Sequence, residues 1–354
     1  RSRQRGGTAV RDGSWLRDGV FGVMCHYLRD QPGGAGDSGN AEPDSPESAA
    51  DRAAVAAWNR QVEGVDVDAL ADQVSATGAR WLIFTIGQNS GFYCSPNETF
   101  DSIVGRESSR LSRRDLVFDL SQALSRHRIR TIAYLPSHAP ADDRRAVEAL
   151  ECTPNWDASQ WQLRPGRYLR STDTDERLSV FQRNWEAVVR EWSTRWGDAV
   201  GGWWIDGCYY GDRMYHHDDE PNLASFAAAL RAGNPDALLA FNSGVRLVDF
   251  GLAEDYTAGE SMHNLPVATW EGGYSPLTGQ IGGSQLHILT HLGSNWRAGD
   301  RPRFPASLVL GYTEYIASRG GAITWDVPID AAGRIPGPFL DTLRFAKASL
   351  AGGT

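Results

Sequence analysis

Eight short apolar runs, separated mostly by helical stretches and spread over 354 residues, predict an α/β fold of the (β/α)8 TIM-type barrel class. The second run, Trp81-Leu-Ile-Phe-Thr-Ile86, carries no polar alternation, which is the mark of a parallel strand covered on both faces. A doubly wound open sheet is the other architecture this order allows. In both, functional groups gather at the C-terminal ends of the strands. No domain boundary and no fixed-period repeat interrupts the chain, so residues 1–354 read as one barrel domain.

The elements follow in order. Phe21–Tyr27 reads as a short buried strand, running into a loop rich in Gly, Pro, Asp and Ser over Asp30–Ser48. Val65–Val74 has helical spacing, with Gly78 placed as its C-terminal cap. Trp81–Ile86 is the second strand, Arg114–His127 a helix, and Ile129–Leu135 a third strand stopped by Pro136. Ser137–Thr174 reads as long and irregular, and Asp175–Trp196 as the longest amphipathic helix. Gly202–Gly207 is the fourth strand, Asn222–Ala232 a helix, Ala237–Asn242 the fifth strand and Glu254–Glu260 a short sixth. Gln285–Leu292 is the seventh, Pro305–Ser318 a helix, Gly321–Val327 the eighth and Phe339–Leu350 a closing helix.

Composition removes several kinds of function. A net charge of −9 argues against nucleic acid or an anionic membrane as the main partner, and no apolar run is long enough to span a bilayer. Lys347, beside the C-terminus, is the only lysine, which makes a Schiff-base enzyme, a Walker-type nucleotide site or a cofactor-bound lysine very hard to build. Cys25, Cys94, Cys152 and Cys208 lack metal-ligand spacing and could be free thiols or form one or two disulfides. Gly34-Ala-Gly-Asp-Ser-Gly39 matches a dinucleotide fingerprint by letter, but no helix follows to receive a pyrophosphate, so it reads as a loop. His287 and His291 fall on a strand, where i and i+4 do not converge, and read as core or loop residues. The run His216-His217-Asp218-Asp219-Glu220 reads as a solvated loop, with a metal-dependent hydrolase a weaker alternative. Neither a cofactor nor a metal is expected.

The expected strand ends carry His26, Gln88, Asn89, Asp206, Asn242, Glu260, Thr290 and Asp326. The sharpest signal is Trp203-Trp-Ile-Asp-Gly-Cys208: an acid at the end of a buried apolar strand is costly without a task. Glu260 stands two strands further on. Two carboxyls from different strand ends, beneath a Trp-rich mouth, are what glycoside hydrolysis uses.

At these residues the chain resembles the alpha-L-fucosidases of glycoside hydrolase family 29. Phe21-Gly-Val-Met-Cys-His-Tyr27 is similar to the family's opening FGIFIHWG, and Gly78–Phe92 to its GAKYxxLTxKHHDGF strand. Trp204-Ile-Asp-Gly207 resembles the WFDG of the nucleophile strand, and Glu254–Glu260 the later GDFxTxE. Trp270-Glu271 stands where a WE pair follows, and Gly320–Pro336 resembles GGNLLLNVGPxxDGxIP.

The resemblance implies a retaining exo-glycosidase acting on an oligosaccharide or glycoside, with Asp206 as nucleophile and Glu260 as acid/base, Glu271 and Glu254 being the alternatives. Substrate contacts are expected from His26, Gln88, Asn89, Trp204, Asn242, Trp270, Glu271, Trp325 and Asp326. Two departures stand out. The family's His-His pair is Gln88-Asn89 here, so the sugar need not be fucose, and a non-catalytic carbohydrate-binding barrel is the competing reading. The asparagine of LLNVGP has become Asp326, read as a third acid at the rim. The family's C-terminal β-sandwich is expected to be absent, since a helix and Ala351–Thr354 are all that follow the last strand. A secreted or periplasmic setting is expected, with a cytoplasmic one and the oligomeric state left open.

Overall fold

The computed structural model describes residues 11–29, 47–152, 177–208, 214–245, 247–251, 253–267 and 279–352. Ten strands are present among the described residues: β1 Phe21–Cys25, β2 Trp81–Thr85, β3 Arg130–Pro136, β4 Val200–Asp206, β5 Leu238–Phe241, β6 Glu260–Ser261, β7 Gln280–Ile281, β8 Ser284–Gln285, β9 His287–His291 and β10 Ala322–Val327. β7 and β8 form a small antiparallel ladder of their own. The other eight make one curled, all-parallel sheet in the order β5-β4-β3-β2-β1-β10-β9-β6. Between the two ends of that order, the Asp255 N–H donates to the Leu239 carbonyl at 2.9 Å, and the Asp255 carboxylate accepts the Leu239 N–H at 2.9 Å.

Strand side chains alternate between two hydrophobic layers. Met24, Ile83, Tyr134, Trp204, Ala240, Ala258 and Leu289 share the inner one. Val23, Phe84, Leu135, Trp203, Phe241, Ile288 and Trp325 belong to the outer one, which packs against the helices. This parity decides what each strand end presents. The next inward position after Met24 is residue 26, after Trp204 it is 206 and after Ala240 it is 242, while Glu260 opens β6.

The N-terminal floor is sealed by aromatic and polar packing. The Trp81 indole donates to Thr324 Oγ1 at 2.8 Å, and a Cβ on Gly22 would lie 2.2 Å from Trp81 Nε1, so β1 has room only for glycine there. His287 Nδ1 faces the Thr257 carbonyl and its Nε2 the Thr324 hydroxyl, and burial pushes the imidazole down to about 4. His287 and His291 are both fully buried core residues. Helices start on side-chain caps: Asp66, Asn97, Asp115 and Asn222 each accept a backbone N–H of the first turn.

Several elements differ from expectation. A helix over Ala49–Glu63, opened by a Ser48–Asp51 capping box, lies where no element was read. Short helices at Ser14–Gly19 and Glu98–Val104 are likewise additional, and Arg144–Ala149 is helical inside the stretch read as irregular. The sixth strand shrinks to Glu260–Ser261, because Gly259 has φ +65° and breaks the extended run before it. All four cysteines are buried free thiols. No helix among the described residues is long and apolar enough to cross a membrane.

Candidate active site

A cavity of about 230 Å³ opens at the C-terminal ends of the strands. Met24, Trp204 and Leu289 give it an apolar floor; His26, Gln88, Tyr134, Asp206 and Glu260 give it polar walls. Trp204 is held flat, stacked on Tyr134 with ring centroids 5.4 Å apart and its Nε1 donating to the Ala258 carbonyl at 3.1 Å.

Asp206 ends β4 and accepts three hydrogen bonds. The Gly207 N–H and Asn242 Nδ2 both donate to Oδ1 at 2.8 Å, and the Tyr134 hydroxyl donates to Oδ2 at 2.5 Å. Tyr134 in turn accepts from Gln88 Nε2 at 2.6 Å, so the chain Gln88–Tyr134–Asp206 fixes the outer carboxylate oxygen. Gly207, at φ +75°, turns the chain sharply after the acid.

Asn242 is the hinge of the site. Its Nδ2 also donates to Glu260 Oε2 at 2.6 Å, and its Oδ1 accepts the Gly244 N–H at 3.2 Å. One nitrogen therefore holds an oxygen of each carboxyl. With those bonds 2.8 and 2.6 Å long, the two oxygens can be no more than about 5.4 Å apart. Glu260 is pushed up to about 7, first by burial and then by the charge of Asp206, against the opposing pull of Asn242 and His26. Gly259 sets its position: besides its positive φ, a Cβ there would lie 1.9 Å from the His287 carbonyl oxygen. Gly259→Ala is expected to lower the unfolding free energy by about 2–4 kcal/mol, checked by denaturant titration.

His26 faces the cavity while its Nδ1 meets Asp326 Oδ1 at 2.6 Å. The expectation of Asp326 as a rim acid is not met. It has no exposed surface, and its Oδ2 accepts the Arg297 backbone N–H at 2.8 Å, so both oxygens are used behind the wall. Trp325 also departs from expectation. Its parity turns it outward, where its indole donates to Thr313 Oγ1 at 3.2 Å, fully buried against a helix. Glu254, the reserve acid, is buried on the Phe241 and Phe250 N–H groups, and burial drives its carboxyl well up. Asn89 lies in the turn after β2, its carbonyl accepting the Asp142 N–H at 2.9 Å, and is not a cavity wall. Trp270 and Glu271 lie outside the described residues.

With the geometry in place, solved structures supply a comparison. The endo-fucoidan hydrolase MfFcnA4 from glycoside hydrolase family 107 superposes with a TM-score of 0.64 at 17% identity, over 95% of this chain and 53% of that one. Alpha-L-fucosidase isoenzyme 1 from Paenibacillus thiaminolyticus gives 0.59 at 17% identity, over 98% and 77%. A variant of alpha-L-fucosidase AlfC, in complex with Fuca(1,6)GlcNAc, gives 0.62 at 13% identity, over 96% and 98%. The chain shares their fold. It spans about half the length of the MfFcnA4 chain and nearly the whole of AlfC. No protein-family model and no curated protein matches the sequence.

Of the residues expected from sequence, the structure brings together His26, Gln88, Trp204, Asp206, Asn242 and Glu260. It adds Tyr134, Trp296 and Arg297, which sequence reasoning missed. Tyr134 carried a findable signal, since it is an inward position near the C-terminal end of β3, two residues before Pro136. Trp296 and Arg297 sit in a turn after β9 with no periodic signature. Among the described residues no group of three or more His, Cys, Asp and Glu is placed to hold a metal, and His216 Nε2 lies 3.1 Å from the Phe250 carbonyl.

Proposed function

We propose that this chain is a retaining, exo-acting glycoside hydrolase of alpha-L-fucosidase-like type, acting on an oligosaccharide or glycoside whose sugar is fucose, another deoxy sugar or a pentose. The observation that carries the reading is the single Asn242 nitrogen bound to both Asp206 and Glu260. The two carboxyl oxygens held by that nitrogen lie within about 5.4 Å of each other, which supports the close carboxyl pair, roughly 5–5.5 Å apart, of double displacement.

In this reading Asp206 attacks the anomeric carbon as the glycosidic bond breaks, and Glu260 gives its proton to the departing oxygen. Water then attacks the glycosyl–Asp206 ester, losing its proton to Glu260, and the sugar leaves with its original configuration. A carboxyl titrating near 7 suits both roles of Glu260. The cavity, at about 230 Å³, is below the roughly 300–1,000 Å³ typical of pockets for drug-sized ligands, which supports occupation by one terminal ring. The Asp255–Leu239 bonds support a ring of strands closed between β5 and β6.

NMR of a fresh reaction on an α-linked aryl glycoside tests the stereochemistry. The first-formed product is expected to be the α anomer; a β anomer would overturn retention. Sugar binding without turnover across a broad glycoside panel would favour the non-catalytic alternative instead.

A further inference from the structure

The chemistry proposed for Asp206 and Glu260 leaves a third acid, Glu254, unused. It is 1% exposed and does not line the cavity, so it meets no substrate. Both of its oxygens are engaged: Oε1 accepts the Phe241 N–H at 3.0 Å and Oε2 the Phe250 N–H at 2.7 Å. A carboxyl inside a protein is costly to keep there, and burial drives this one well up. Around it stand Asp249, which is hydrogen-bonded to it, the Cys208 thiol and the Tyr256 hydroxyl, and none of the three is a cation.

The edge of the sheet shows where such an acid is needed. Toward β4 the end of β5 is fixed by backbone bonds: the Asn242 N–H donates to the Ile205 carbonyl at 2.7 Å, and the Asn242 carbonyl accepts the Cys208 N–H at 2.8 Å. On its other side β5 pairs with no strand among the described residues. There the Leu239 N–H goes to the Asp255 carboxylate and the Phe241 N–H to Glu254. Two consecutive acidic side chains thus take the donors that the carbonyls of a neighbouring strand would take. Phe241 immediately precedes Asn242, and Phe250 lies at the far end of the loop that Asn242 opens; the two rings stack with centroids 5.5 Å apart. Glu254 therefore clasps both ends of that loop beside the amide that holds Asp206 and Glu260.

We propose that Glu254 is a positioning residue: by clasping Phe241 and Phe250 it keeps the Asn242 amide in place between Asp206 and Glu260. One nitrogen makes both of those bonds, at 2.8 and 2.6 Å, so drift of the strand end weakens at least one of them. Glu254 then acts on the site only through Asn242. Its effect on turnover rests on the glycoside hydrolase reading; its effect on the state of Glu260 does not.

The first readout is the titration of Glu260, followed by NMR of protein labelled with ¹³C at the glutamate carboxyl carbons and assigned with Glu260→Gln. Wild type, Glu254→Met, Asn242→Ala and the double variant are compared. Glu254→Met is expected to raise the Glu260 midpoint by roughly half a pH unit or more, and to add nothing in the Asn242→Ala background. Removing a negative charge would by itself move Glu260 down, so the direction separates positioning from electrostatics. Should Glu254→Met not fold, Glu254→Gln takes its place: its amide keeps one acceptor but turns an NH₂ toward the other donor, and a smaller rise is expected. The second readout is kcat on the best aryl glycoside, expected to fall about tenfold or more in Glu254→Met while KM stays within about threefold. A midpoint that is unchanged or lowered, a rise of equal size with and without Asn242, or an unchanged kcat in an enzyme that hydrolyses glycosides would each overturn the proposal and leave the hydrolase reading standing. A raised midpoint in a protein whose wild type hydrolyses nothing would uphold the positioning role while the hydrolase reading falls.

Discussion

Asp206→Asn is expected to lower kcat on the best aryl glycoside by about four orders of magnitude, the scale on which a reaction depends on its nucleophile. The substitution is nearly isosteric. The remaining carbonyl oxygen can keep the Gly207 and Asn242 donors, and the new amide can turn its nitrogen to the Tyr134 hydroxyl. The melting temperature should therefore stay close to wild type, and the loss belongs to the chemistry. Stopped assays at high enzyme concentration give the rate, and calorimetry gives the stability. A second measurement separates a nucleophile from a merely supporting acid: azide added to Asp206→Gly should restore turnover and yield a glycosyl azide of opposite anomeric configuration. Retention of a tenth of the wild-type rate in Asp206→Asn, or no rescue, would remove Asp206 from the role.

The parity of the strands explains why some of this site is legible in the sequence. Once Met24, Trp204 and Ala240 are inner residues, His26, Asp206 and Asn242 follow by two and point into the same mouth, where Glu260 joins them after the turn at Gly259. Trp325 shows what happens when a strand-end residue is chosen by type alone: its neighbours Thr324 and Asp326 take the inner positions and the indole goes to the helices. Asp326 shows a second limit. An acid at an inner position can face a substrate or another side chain, and only the fold reveals His26 and the Arg297 N–H in front of it.

Other features had no pattern to read. Ala49–Glu63 is so rich in alanine that its buried face, Trp58, Asn59 and Val62, leaves too few large apolar residues to set a period. Tyr134 lies within an apolar strand where tyrosine reads as packing, yet its hydroxyl is the link between Gln88 and Asp206. The Gln88-Asn89 pair, read as two sugar contacts, divides: Gln88 faces the cavity and supports Tyr134, while Asn89 is tied into the turn through its carbonyl.

The second large effect concerns Glu260. With its carboxyl pushed up to about 7, the proton that assists departure is present below that pH and lost above it, so wild-type kcat/KM should fall about tenfold per unit on the alkaline side. Glu260→Gln should remove that limb and lower kcat on glycosides with poor leaving groups by about 10²–10⁴-fold, with less effect on activated aryl glycosides, whose departing oxygen needs little protonation. Asn242→Ala should move the limb further up, because the donor that favours the charged form is gone while burial and Asp206 remain. Stability carries the same signature. The folded-state value is raised above the ordinary 4.5, so this group's contribution is fully present below about 4.5 and is lost as pH rises through about 7. Unfolding free energy should therefore fall across that window in the wild type, by at most about 1.4 kcal/mol per pH unit, and the Glu260→Gln protein should lack that component. A pH-activity limb identical in wild type and Glu260→Gln would assign the acid to another residue, and a pH-stability slope identical in both would mean that Glu260 titrates near 4.5 in the fold, with its proton absent at neutral pH.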